Sequence, residues 1–182
     1  ANACSDATAS RVRSIMPTAH VLETEVAGKC HALNLGYMLS VRDRPVICLD
    51  ADLEVTTESL LALVTALEDG SKQAACGQMD VCVSGASFLV RSYYKGWRTN
   101  PYFDRGKFGG VFAISPQTAA RLFPLPLITA DDEYVRRFVG ENQIAFVPDC
   151  RFKARAPRVL SSLVKVRRRS LRGAREVSSM GL

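Results

Sequence analysis

The segment Pro45-Val46-Ile47-Cys48-Leu49 is a compact apolar run that stops abruptly at Asp50-Ala51-Asp52. Such a run has the pattern of a buried parallel strand, and in open α/β sheets ligands bind beyond the carboxyl ends of the strands. Two carboxylates delivered at that end constrain the chain more than any other feature. Alternate residues of an extended segment point to opposite sides, so Asp50 and Asp52 are free to do different jobs. One can hold a hard divalent cation while the other takes a hydroxyl or a water of the metal shell. Mg²⁺ takes only one or two protein carboxylates and completes its shell from phosphate oxygens and water. The competing reading is a pair of solvated loop aspartates.

The rest of the chain alternates in the same manner. Apolar periodicity predicts helices over 8–16, 29–41, 59–67, 88–97, 116–122, 131–139 and 160–172. Strands are predicted over 19–24, 45–49, 73–83, 111–115 and 144–147, with a polar and aromatic loop over 100–110. Strands alternating with helices argue for an α/β fold with a mainly parallel central sheet. The 182 residues suit one domain. We expect a core over 1–150 and a basic helical appendage over 151–182.

Charge supports that division. Residues 1–150 hold 14 Lys and Arg against 17 Asp and Glu, whereas residues 151–182 hold 10 against the single Glu176. The net charge of +6 therefore belongs to the C-terminal segment. The six cysteines show no metal-knuckle spacing and read as free, mostly buried thiols of a reducing, cytoplasmic compartment. No run approaches the roughly 18 consecutive apolar residues of a membrane span.

Two further constellations stand out. Ala130-Asp131-Asp132-Glu133 opens a predicted helix, where the dipole favours acids; alternatively one acid is a general base whose pKa a neighbour raises. Gly28-Lys29 opens another helix and suits approach to an anion. Within that helix Asn34 and Gly36 go against propensity, which predicts polar contact or close packing. Tyr93, Tyr94, Trp97, Tyr102 and Phe103 lie between the acidic sites and either stack on an acceptor or pack internally.

In order and rough spacing these pieces resemble a family 2 glycosyltransferase of the GT-A fold, a three-layer sandwich. The matching pieces are Asn2-Ala3-Cys4-Ser5-Asp6-Ala7-Thr8, Gly28-Lys29 with Ala32-Leu33-Asn34-Leu35-Gly36, Leu49-Asp50-Ala51-Asp52, Gly109-Gly110, and Asp131-Asp132 ahead of Arg136. The resemblance implies a metal-dependent, inverting transferase of hexosyl type, which moves a sugar from a nucleotide-diphosphate donor to a hydroxyl of a polysaccharide or lipid-linked saccharide. It places Asp6, Lys29, Asp50, Gly109 and Gly110 on the nucleotide-sugar and its pocket. It makes Asp52 the ligand of Mg²⁺ or Mn²⁺, and Asp132, or by a slip of one Asp131, the catalytic base.

Departures from the family pattern are also visible. The family opens with a strand and an Asn-Glu-type loop, which this sequence does not show; without them we expect an unpaired sheet edge, low solubility and weak activity. Where processive members carry Gln-x-x-Arg-Trp, Lys165-Val166-Arg167-Arg168-Arg169-Ser170 stands. Both histidines, His20 and His31, precede Asp50, so no late histidine ligand is visible.

Two alternatives compete. Asp50 and Asp52 also resemble the nucleophile and acid of a haloacid-dehalogenase-like phosphatase, although Leu53-Glu54 stands where Gly-Thr is usual. The chain could instead be a non-catalytic basic module. Residues 151–175 interleave Val159, Leu160, Leu163, Val164 and Val166 with cations, as in a helix lying on an anionic membrane. That would place the protein peripherally at the inner face of the plasma membrane. No nucleic-acid motif is present, so nucleic acid is not an expected partner.

Overall fold

In the computed structural model, which describes residues 1–100 and 106–181, five strands form one sheet in the order β1-β4-β3-β5-β2. The strands are β1 (Val46–Leu49), β2 (Leu53–Val55), β3 (Ala74–Cys82), β4 (Lys107–Ile114) and β5 (Ile144–Arg155). The helices are α1 (Thr8–Ile15), α2 (Lys29–Met38), α3 (Thr57–Thr65), α4 (Phe88–Trp97), α5 (Pro116–Leu122), α6 (Asp131–Val139) and α7 (Leu160–Ser179). Local chemistry sets several starts. Thr56 accepts from the Ser59 amide at 3.2 Å to cap α3, and Ser115 accepts from Thr118 at 3.3 Å to cap α5, with Pro116 in its first turn.

Side chains alternate across the sheet as strand geometry requires. Ala74, Cys76, Phe112 and Ile114 face one apolar cluster with α2, α5 and α6 residues, among them Cys30, Leu122, Val135 and Val139. Ala75, Val111 and Ala113 face another, closed by Leu63 of α3 and Phe152 of β5. A third cluster joins α4 to α7 through Val90, Tyr94 and Leu163. Burial pushes the Cys48 and Cys76 thiols up to about 12 and that of Cys150 to about 11. Cys4 and Cys82 are exposed.

The expectation of a mainly parallel sheet is corrected. β3 and β5 pair in parallel, but β1–β4, β3–β4 and β2–β5 are antiparallel. β4 follows α4, which packs against α7, and runs antiparallel to β3. Apolar runs report burial, which both pairings need, and not strand direction. The strand predicted over 19–24 reduces to one parallel bridge between Asn2 and Thr24. β5 continues through Cys150 to Arg155, with Phe152 buried, so the sheet takes up the first residues of the basic segment before α7 begins.

Both neighbours of β3 shift register at Gly77. A side chain there would collide with the Cys150 carbonyl and thiol, so glycine permits the close approach of the bulged β5. On the other side, pairing jumps from Phe112 to Lys107, which throws Gly109 and Gly110 out of the ladder.

The prediction for α2 separates into two outcomes. Asn34 makes polar contact: its amide donates to the Leu125 carbonyl at 2.9 Å and its carbonyl accepts from the Leu125 amide at 2.7 Å. Gly36 is not closely packed, since a Cβ there would meet nothing within 4 Å. Accordingly, Asn34→Ala should lower unfolding stability by about 1–3 kcal/mol by orphaning the buried Leu125 backbone groups. Gly36→Ala should raise it by about 0.5–1 kcal/mol. Urea unfolding of the two variants checks both signs.

Candidate active site

Three elements converge on one ammonium. The Asn2 carbonyl accepts from the Gly28 amide at 2.8 Å, and the Asn2 amide donates to the Val26 carbonyl at 2.7 Å. These bonds fix the start of α2, where Gly28 adopts φ 144°. Lys29 follows in the first turn. β1 ends at Leu49, and the Asp50 amide donates to the Gly110 carbonyl at 2.8 Å, which pins the turn after β1 to the bulge of β4. Asp131 is the first residue of α6. Lys29 Nζ lies 2.6 Å from Asp50 Oδ1 and 3.0 Å from Asp131 Oδ2.

The electrostatics follow from burial. The Asp131 side chain is 4% exposed, against 47% for Lys29 and 34% for Asp50. Burial raises the Asp131 pKa, Lys29 opposes that rise, and the charges of Asp132 and Asp50 add to it. Asp131 Oδ2 has the ammonium beside it but no well-directed hydrogen bond. Burial alone would lower the Lys29 pKa; Asp131 and Asp50 outweigh it and hold the amine above its ordinary value. Lys29 is therefore protonated throughout the physiological range and acts as a fixed cation between two carboxylates.

Asp132 lies on the other side of the same helix start, half-buried, with Oδ1 accepting from the Glu133 amide at 2.9 Å. Its Oδ2 sits where a Gly109 side chain would project, and Lys107 Nζ lies 2.9 Å from that same point. Gly109 and Gly110 have φ of 131° and 81°, both left-handed, so each needs glycine for backbone conformation as well as for space. Further along α6, Glu133 pairs with Arg136 at 2.8 Å and Arg137 at 2.6 Å; burial raises its pKa, but the two guanidinium groups bring it below the ordinary range. The α7 helix backs this arrangement. Glu176 accepts from the Thr129 amide at 3.0 Å, and Gly173 presses so near Ala130 that a Cβ would lie 2.6 Å from the Ala130 Cβ.

Of the residues expected from sequence, the structure thus joins Lys29, Asp50 and Asp131 directly, and Gly110, Gly109 and Asp132 through the β4 bulge. Asp6 is exposed and accepts from the Thr8 amide at 3.1 Å and from the Thr8 hydroxyl, which lowers its pKa. It shares no hydrogen bond or ion pair with the Lys29 cluster among the described residues. Asp52 is exposed in the turn after β1 and likewise makes no ion pair there. Among the described residues no three His, Cys, Asp or Glu side chains gather as a metal-binding group. Tyr94 packs edge-on against Tyr93 and Trp97 within the α4–α7 cluster, so these rings serve packing. Tyr102 and Phe103 lie outside the described residues. The sequence reading missed Lys107 and the contact of Asn2 with the start of α2. Lys107 stands two residues before Gly109, a strand spacing that puts both on one side and could have been read. The reach of Asn2 to Gly28 depends on tertiary structure and carries no local signal.

The ion pairs give a pH-dependent expectation. Lys29→Met leaves Asp131 buried without its cation, which should cost about 1–3 kcal/mol at neutral pH, discounted for the half-exposed lysine. Since the folded Asp131 pKa is then raised further, the protonated acid is favoured in the folded state. The loss should shrink as pH falls through that raised value toward the ordinary 3.8. In the unaltered chain the Lys29 contribution is lost only as pH rises through its own raised value, in the alkaline range. Urea unfolding at neutral and acidic pH tests this; an equal loss at both would mean that Asp131 is not the group left unpaired.

Comparison with known proteins then bears on these residues. A search of curated proteins finds no match. A solved structure titled "Crystal Structure of a Mycobacterial Protein" is similar at 16% identity and a TM-score of 0.49, over 85% of this chain and 54% of that one, so this chain spans about half its length. The model of "Glycosyl transferase family 2" matches residues 1–124, a span that includes Asp6, Lys29, Asp50, Asp52, Gly109 and Gly110 and ends before Asp131. With two thirds of its length matched, carrying the paired aspartates after β1, the chain belongs to glycosyl transferase family 2.

Proposed function

We propose that the chain is an inverting, metal-dependent glycosyltransferase of the GT-A type, with helices on both faces of the mixed sheet. It would transfer a hexosyl group from a nucleotide-diphosphate sugar to a hydroxyl of a saccharide or lipid-linked saccharide. The observation that carries this reading is the convergence of Lys29, Asp50, Asp131 and Asp132 on the bulge at Gly109-Gly110, in a chain of this family. Family membership sets the phosphatase reading aside.

Each residue then has a task set by its surroundings. Lys29 fixes Asp50 and Asp131 and contributes positive charge at the start of α2, where an anionic diphosphate is favoured. Asp50 faces the sugar or ribose of the donor, and Asp6 contacts the nucleotide. Gly109 and Gly110 shape the sugar pocket, and the bare Gly109 leaves Asp132 its place, because any side chain there would drive into that carboxylate. Asp131, buried and held by Lys29, is not free to take a proton from an acceptor. Asp132, with Oδ2 directed at the glycine bulge, is the general base that deprotonates the attacking hydroxyl. A single displacement assisted by one base inverts the anomeric carbon and leaves no sugar on the protein.

The residues fit a divalent cation of the kind the family uses. Asp52 offers an exposed carboxylate with no competing ion pair, and Mg²⁺ or Mn²⁺ needs little more from protein when phosphate oxygens fill its shell. When bound, the cation would offset the charge that develops on the departing nucleoside diphosphate.

Asp132→Asn should lower glycosyl transfer by about 10²–10⁴-fold with donor binding nearly unchanged. Asp131→Asn should act mainly on stability and on the pH profile. If Asp131→Asn abolishes transfer and Asp132→Asn is mild, the two roles exchange. If both are mild, the base lies elsewhere. Separately, Asp52→Ala should remove the Mn²⁺-dependent part of nucleoside-diphosphate binding in calorimetry and leave the melting temperature unchanged; affinity that responds to Mn²⁺ as before would exclude Asp52 as the ligand.

A further inference from the structure

The basic C-terminal segment does not form an isolated arm. Leu163, Gly173 and Val177 bury one side of α7 against the rest of the molecule. A neighbouring side carries Leu160, Val164 and Leu171, all exposed, at spacings that place them on one stripe. Arg168 and Arg172 lie to one side of that stripe, with Lys165 and Arg169 farther round the helix, and all four are exposed. The one acid of the helix, Glu176, is turned away from it toward the Thr129 amide.

A second element adds to this face. The Ser87 amide donates to the Arg158 carbonyl at 2.8 Å, which brings the first turn of α4 to the start of α7. There Phe88 and Leu89 are 72% and 56% exposed, beside Val159 at 50%. Two bulky apolar side chains at the first turn of α4 thus lie near the start of α7, where Val159 and Leu160 are also exposed. A solvated basic helix would need none of these apolar groups. A protein partner would accept them without so many cations, and a nucleic acid would use the cations without the apolar ridge.

We propose that this composite face, Phe88 and Leu89 of α4 with Leu160, Val164 and Leu171 of α7, docks on an anionic lipid bilayer. The apolar side chains enter the headgroup boundary while the lysine and arginines lie against lipid phosphates. No helix among the described residues is long and apolar enough to cross a membrane, so the contact is one of surface adsorption. The buried side of the same helix touches Ala130, next to Asp131. Docking therefore holds the start of α6 at a fixed distance from the membrane. The proposal does not depend on the glycosyltransferase reading.

Vesicle co-sedimentation of the whole chain tests it, with phosphatidylcholine alone and with phosphatidylcholine mixed with phosphatidylglycerol. Binding is expected to the mixed vesicles only. Changing Arg168, Arg169 and Arg172 together to Gln should weaken it by roughly 10²-fold. Phe88→Ser combined with Leu160→Ser keeps the charge and the fold, because both side chains are exposed, and should weaken it by at least about tenfold. Far-ultraviolet circular dichroism of the variants should match the parent. Unchanged vesicle binding by the serine variant would overturn the proposal, since only nonspecific charge attraction would remain. Tighter binding to duplex DNA or to RNA than to the mixed vesicles at the same salt would overturn it too.

Discussion

A carboxylate as deeply buried as Asp131 is tolerated only beside a cation, and here the cation is Lys29. The pairing joins the start of α2 to the start of α6, and the second contact of Lys29 draws in Asp50 at the end of β1. Three elements far apart in sequence are thereby held at one end of the sheet. The arrangement costs desolvation, and a hydrophobic triad would give more stability. Retaining charge at this point makes sense when the charges are used, and their place beyond the carboxyl end of β1 is where an α/β sheet presents its ligands.

The glycines solve a different problem at the same site. Gly77 lets β5 approach β3, and the register jump beside it expels Gly109 and Gly110 from the β4 ladder. The carbonyl of Gly110 then holds the Asp50 amide, while the bare Cα of Gly109 leaves room for Asp132. The β4 bulge is what brings residues of α6 and the turn after β1 together. A side chain at Gly109 would displace Asp132.

Much of this was legible in the sequence. The boundaries of α4, α5 and α6 follow from apolar period and from the proline and acids at helix starts. Asp50 as the residue leaving a strand, and Lys29 as the opening of a helix, are local patterns. What the sequence did not disclose is nonlocal. Strand direction is set by which strands pair, which apolar runs do not encode, and β5 reads as short because Pro148 and Asp149 interrupt an extension that neighbouring strands nevertheless support. The contact of Lys29 with Asp131 spans about a hundred residues and leaves no periodic trace. The residue pattern placed both acids at a helix start but did not distinguish their environments, one locked to lysine and one facing the glycine bulge.

The central claim is that a nucleoside diphosphate and its metal bind at the turn after β1, beside the β4 bulge. The most direct measurement is the ¹⁵N spectrum of the chain with a nucleoside diphosphate, comparing diamagnetic Mg²⁺ with paramagnetic Mn²⁺. The account predicts selective broadening by Mn²⁺ of the amides of Asp50, Ala51, Asp52, Gly109 and Gly110, with α7 unaffected. Broadening centred on other residues, or none in the presence of the nucleotide, would contradict it.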